Sequence, residues 1–106
     1  NYVCNVHAQA DRPESAVLAS EFCGTSVTSR SGAQQAQVDG IVRHNAHVLW
    51  ARSEECGYGV ADITPQRWTT RLRVLDNPLD AGSTARTQVQ FVVEDGRAGP
   101  QREGGA

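Results

Sequence analysis

Three histidines carry the most usable chemistry in this sequence, and their neighbours decide what each could do. His7 closes the strand-like run Tyr2-Val3-Cys4-Asn5-Val6, and small and polar residues follow it. A rigid strand end aims a side chain into a crevice, where a neutral imidazole is a good transition-metal ligand. The competing reading is a half-exposed loop histidine. Asn5 precedes His7 by two residues, so both side chains face the same way along a strand. An aspartate there would complete a carboxylate–imidazole pair for a metal. Asn5 offers only a neutral carbonyl oxygen, a poorer ligand for a hard cation. His44 and His47 are three apart, which would share one face of a helix. The helix expected here ends near Arg43, so the pair falls on a helix-to-strand link, with Asn45 as the helix C-cap.

Other charged groups make weaker cases. Glu54-Glu55 and Glu94-Asp95 are carboxylate pairs at strand ends, but adjacent turn residues point apart and are ordinarily solvated. Arg71 and Arg73 share a strand face that could bind phosphate, or could simply be solvated. The three cysteines, Cys4, Cys23 and Cys56, are widely spaced and form no CxxC, so neither a disulfide framework nor a zinc ribbon is supported. Each reads as a small buried hydrophobe, with one disulfide and one free thiol left open. A cysteine nucleophile has no local signature to support it. All ten basic residues are arginine, which removes Schiff-base and P-loop lysine chemistry. No GxSxG, HExxH, P-loop or GxGxxG pattern occurs.

A length of 106 residues allows one small domain or a piece of a larger one. With 39% hydrophobic and 21% charged residues the composition is globular, not disordered. No apolar run approaches the roughly 20 residues of a membrane span. A formal net charge of -2 argues against nucleic-acid binding by bulk charge. The opening residues show no basic region followed by an apolar stretch, so no signal peptide is expected in them. Their abrupt apolar start is what a chain cut from something longer would show.

The elements that must position these residues follow from periodicity. Tyr2 to Val6 and Ala16 to Cys23 read as strands, separated by the polar loop Ala10-Asp11-Arg12-Pro13-Glu14-Ser15. Ala33 to Arg43 reads as a helix on the spacing of Ala33, Ala36, Ile41 and Val42, with Gly40 weakening it. His47 to Ala51 and Tyr58 to Thr64 are strands. Trp68 to Leu75 alternates, with Trp68, Thr70, Leu72 and Val74 on one face and Thr69, Arg71 and Arg73 on the other. The turn at Pro65-Gln66 should join it to the preceding strand as an antiparallel hairpin. Thr87 to Glu94 alternates with Val89, Phe91 and Val93 inward, while Val92 interrupts the outer polar face and implies partial cover there. Gly96 to Ala106 is Gly-rich and polar and reads as a frayed tail. The expected fold is α+β, a mixed, mostly antiparallel sheet with about one helix.

Five segments, in order, give the chain a family likeness. Cys4-Asn5-Val6-His7 occupies the place of a GDxH motif at a strand end. Asn45-Ala46-His47 stands where Asn-Pro-His is usual. Gly57-Tyr58 leads to Thr64-Pro65-Gln66-Arg67-Trp68, and Phe91-Val92-Val93-Glu94-Asp95-Gly96-Arg97 closes the series. Ser20-Glu21-Phe22-Cys23-Gly24-Thr25-Ser26 matches an E-F-x-G-T-S strand end. In this order and spacing the chain resembles the C-terminal portion of the alkaline phosphatase D-like (PhoD-like) metallophosphatases.

That resemblance implies one half of a calcineurin-like metallophosphatase sandwich over residues 1–96, with a flexible tail over 97–106. It implies hydrolysis of phosphate mono- and diesters with iron and calcium, and a periplasmic or secreted location. His7 carries over as a metal-site residue. Asn5 takes the position of the family's aspartate with altered chemistry, and Ala46 replaces a proline. The motifs supplying most metal ligands are absent, so this chain alone should be inactive and should not hold the metals by itself. Its partners would be a phosphate ester substrate and the missing N-terminal part of the same domain, or a second copy through self-association. The alternative is a stand-alone, non-catalytic β-rich binding or structural module derived from that family.

Overall fold

The computed structural model describes residues 1–104. Its elements run β1 (Tyr2–His7), β2 (Val17–Cys23), α1 (Gln35–His44), β3 (Val48–Ala51), β4 (Gly57–Ile63), β5 (Arg67–Leu75), β6 (Ala85–Glu94) and β7 (Gln101–Glu103). They form a three-stranded sheet ordered β2-β1-β3 and a four-stranded sheet ordered β4-β5-β6-β7. Every described pair runs antiparallel, so the α+β, mostly antiparallel expectation holds.

β1 is the central strand of the smaller sheet and is covered on both faces. Val3 packs with Leu72, Val89 and Phe91 of the larger sheet, flanked by Phe22 and Trp50. Cys4, on the opposite face, packs with Val38 of α1 and with Val48 and Ala51 of β3. Adjacent residues of one strand therefore anchor two cores, one between the sheets and one under the helix. This is why the opening strand is apolar at consecutive positions.

The alternation read in β5 is the one the structure uses: Leu72, Val74 and Thr70 are buried, and Arg71 and Arg73 lie on the other face. The hairpin through Pro65 is present, with Thr64 and Arg67 exchanging backbone hydrogen bonds. The outer-face cover expected from Val92 also exists, because Val92 is buried opposite Gln101 of β7.

Two sequence readings need correction. The helix is anchored by Val38, with Val42 one turn on packed against the same core, while Ile41 is exposed. The bulkier Ile41 lies off the helix face that Val38 turns to β3. The stretch read as a frayed tail carries structure: residues 101–103 pair with β6, and Gly99 and Pro100 are buried. A short edge strand with one neighbour needs no apolar face of its own, so it leaves no periodicity to read. Glu103 instead accepts hydrogen bonds from Gln90, at 2.6 Å, and from Arg67. The end of that tail, residues 105–106, lies outside the described residues.

Candidate functional site

β1 delivers His7 to the rim of a cleft of about 270 Å³, also lined by Asp11, His44, Asn45 and His47. Three features of the chain assemble this end of the molecule. The backbone N–H of Asn5 donates to the His47 carbonyl at 2.8 Å, tying the start of β3 to β1. Asn45 caps α1, its side-chain amide donating to the Ile41 carbonyl at 2.8 Å. The C-cap reading of Asn45 is therefore the one realised, and it turns the chain so that His44 and His47 border the same cleft. The loop between β1 and β2 closes the third side. Ser15 Oγ donates within this loop to the Arg12 carbonyl at 2.7 Å and accepts from the Gln9 N–H at 3.1 Å.

That loop also fixes the His7 ring. His7 Nδ1 lies 2.9 Å from the Ser15 carbonyl oxygen. A carbonyl oxygen only accepts, so Nδ1 carries the proton, and Nε2 of the neutral ring is left with its lone pair. An imidazole held through one nitrogen by a backbone carbonyl is the arrangement of metal-ligating histidines. Asn5 lies two residues back, but the register shifts between Val6 and His7, and Asn5 does not line the cleft that His7 borders. The positive-φ backbone of Gly99 presses against Asn5, so closely that a Cβ at Gly99 would stand 2.7 Å from Asn5 Oδ1. The neighbouring Ser20 Oγ, cross-strand from Asn5, is buried without a hydrogen-bond partner. Sequence reasoning missed both Ser15 and Gly99. A backbone carbonyl leaves no side-chain signature, and a glycine in a Gly-rich stretch looks like slack.

Among the described residues, no three His, Cys, Asp or Glu groups come together to hold a metal ion. His7 is suited to be a ligand, and Asn5 supplies a neutral oxygen already packed against Gly99. These residues do not by themselves fit an iron–calcium pair.

Several other sequence candidates have partners elsewhere. Glu54 accepts from the Gln35 N–H at the start of α1, while Glu55 takes Gln88 at 2.6 Å and Arg52 at 3.4 Å. Arg71 pairs with Asp62, and Arg73 donates to Thr87 Oγ1 at 2.7 Å. Cys4 and Cys56 are buried free thiols and Cys23 an exposed one. Burial, reinforced by repulsion from Glu21 and Cys23, pushes the Cys4 thiol up, which is the wrong direction for a nucleophile. A larger cleft of about 420 Å³ lies beside the start of α1, lined by Arg30, Glu54, Glu55 and Asp76, and holds none of the three histidines.

Comparison with known proteins agrees with the motif series. The family model described as PhoD-like phosphatase matches residues 1–72. Alkaline phosphatase D of Bacillus subtilis (strain 168) is 29% identical over 101 residues, covering 93% of this chain and 17% of the relative. A solved structure described as "Structure of PhoD" superposes with a TM-score of 0.79 at 21% identity, covering 99% of this chain and 20% of that one. The chain thus spans about a fifth of the length of the proteins it matches.

Proposed function

The chain belongs to the PhoD-like phosphatase family, and from that premise we propose that it forms one wall of a metal-dependent phosphomonoesterase and phosphodiesterase site. The observation that carries this reading is the held imidazole of His7, at the end of the motif strand and on the rim of a cleft. In the complete enzyme His7 Nε2 would be one ligand of an iron and calcium centre whose other ligands come from outside this chain. Metals held there would supply Lewis-acid chemistry toward the phosphate ester. The residues here do the positioning: Ser15 holds the ring, and β1 holds its distance from Asn5. The C-terminal part of the metallophosphatase domain extends through β7, to residue 103 at least. The natural setting is the periplasm or the outside of the cell, the substrate a phosphate ester, and the principal partner the remainder of the domain.

A second reading is favoured by one observation, the asparagine at the aspartate position. A neutral Asn5 suits a non-catalytic β-rich module kept for binding or scaffolding. The isolated chain tests the claim that one wall is not enough. Purified chain supplied with iron and calcium is expected to show no turnover of p-nitrophenyl phosphate or bis-p-nitrophenyl phosphate. Turnover abolished by His7→Ala would overturn that claim.

A further inference from the structure

The two facing sheets are unequal in width, and the mismatch falls at one place. Phe22 of β2 meets Trp68 of β5 with ring centroids 6.0 Å apart, which sets β2 over β5. Val3 of β1 packs with Val89 and Phe91 of β6 as well as Leu72 of β5. The next strand outward in the larger sheet is β4, and the smaller sheet has no strand opposite it, because β2 is its edge.

The exposure pattern records this gap. On β5, Leu72 and Thr70 are 1% and 4% exposed. Their cross-strand partners on β4, Gly59 and Ala61, are exposed, and Ile63 is 64% exposed. Gly59 belongs to the inner face, since a Cβ there would sit 3.6 Å from Leu72 Cδ2. Cover therefore stops between β5 and β4. On β2, Leu18 is 66% exposed and is skipped in the register with β1. Among the described residues β2 pairs with β1 alone, so its other backbone edge is open to another strand.

We infer that a further strand pairs with the free edge of β2 and covers Gly59, Ala61 and Ile63 of β4. Its occupant is an extended segment, apolar at alternate positions, from the part of a PhoD-like polypeptide that this chain does not span. The solved neighbour matches over 20% of its length, so the remainder of such a polypeptide is there to supply the strand. A second copy of this chain fits the slot badly. Pairing β2 with β2 antiparallel requires a two-fold axis normal to the sheet. That operation would bring the copy's own β4 to the place β5 already holds. The inference rests on the reading that the chain works within a larger phosphatase.

The test is amide hydrogen exchange on a graft in which this chain replaces the matched stretch of the Bacillus subtilis relative. Amides of β2 and β4 are expected to exchange about 100-fold more slowly, or slower still, than in the isolated chain, with β6 as the internal standard. In a graft that melts cooperatively and protects β6, β2 and β4 exchanging as fast as in isolation would overturn the inference. If the graft does not fold, the intact relative carries the same test in the segments aligned with β2 and β4. Protection there supports the added strand, and exposure overturns it. Protection of β2 that grows with concentration in the isolated chain would assign the slot to a second copy and overturn the stated occupant. A graft with β2 and β4 protected but no phosphatase turnover would defeat the proposed function and leave this inference standing.

Discussion

Residue by residue, most of the motif series does architectural work. Gly57 of the Gly57-Tyr58 pair is glycine because the β5 backbone fills the space a side chain would need. A Cβ there would lie 1.8 Å from the Arg73 carbonyl oxygen. Gly57→Ala must part β4 from β5, and we expect a loss of about 3 kcal/mol or more, read from the denaturation midpoint at unchanged slope. Thr64 holds the hairpin turn by accepting from the N–H groups of Gln66 and Arg67. Trp68 donates to Thr70 at 2.7 Å while its ring meets Phe22. His7 is different, because its hydrogen bond leaves a lone pair free rather than completing a packed unit.

Cys4 gives a pH prediction of definite sign. Its thiol is raised above the ordinary value of 9.0 in the folded chain, so unfolding favours the thiolate. The stability this contributes is complete below that value and is lost as pH rises through it towards the folded value. Alkaline denaturation should therefore be shallower in Cys4→Ala when each protein is referred to its own stability at pH 7. Maleimide should modify the exposed Cys23 in the native chain and reach the buried Cys4 and Cys56 only on unfolding.

Among the elements, β1 and the segment after β6 matter most, because they meet at Asn5. Gly99, at φ +91°, lets that segment turn down onto β1, where Asn5 and Val17 leave no room for a Cβ. Gly99→Ala should cost about 1–3 kcal/mol through backbone strain and the clash with Asn5, measured by denaturant titration. The backbone amide signals of residues 5 and 7 should shift, where a change confined to a tail would leave them alone.

This is also where the sequence was least legible. Strands with one buried face, such as β5 and β6, announce themselves through alternation. The turn at Pro65 and the cap at Asn45 do so through residue type. β7 and Gly99 have neither signal, since they are held by Glu103 side-chain bonds and by shape. At the site, His7 could be singled out from its place at a strand end. The Ser15 carbonyl that fixes its ring could not, because every residue carries one.

At the scale of the whole molecule, the larger sheet outruns the smaller by one strand, and the site has one wall. Among the described residues the most exposed large apolar side chains are Leu79, Leu18 and Ile63. Among the described residues no helix is long and apolar enough to cross a membrane. On the proposed function, this chain is the His7-bearing wall of a phosphatase whose other parts lie outside it. The most direct measurement is the phosphatase activity of the Bacillus subtilis relative carrying this chain in place of its matched stretch. We expect turnover in the graft, a gain on Asn5→Asp, and a fall of about 100-fold with His7→Ala at unchanged melting temperature. A folded, active graft indifferent to His7→Ala would contradict the claim.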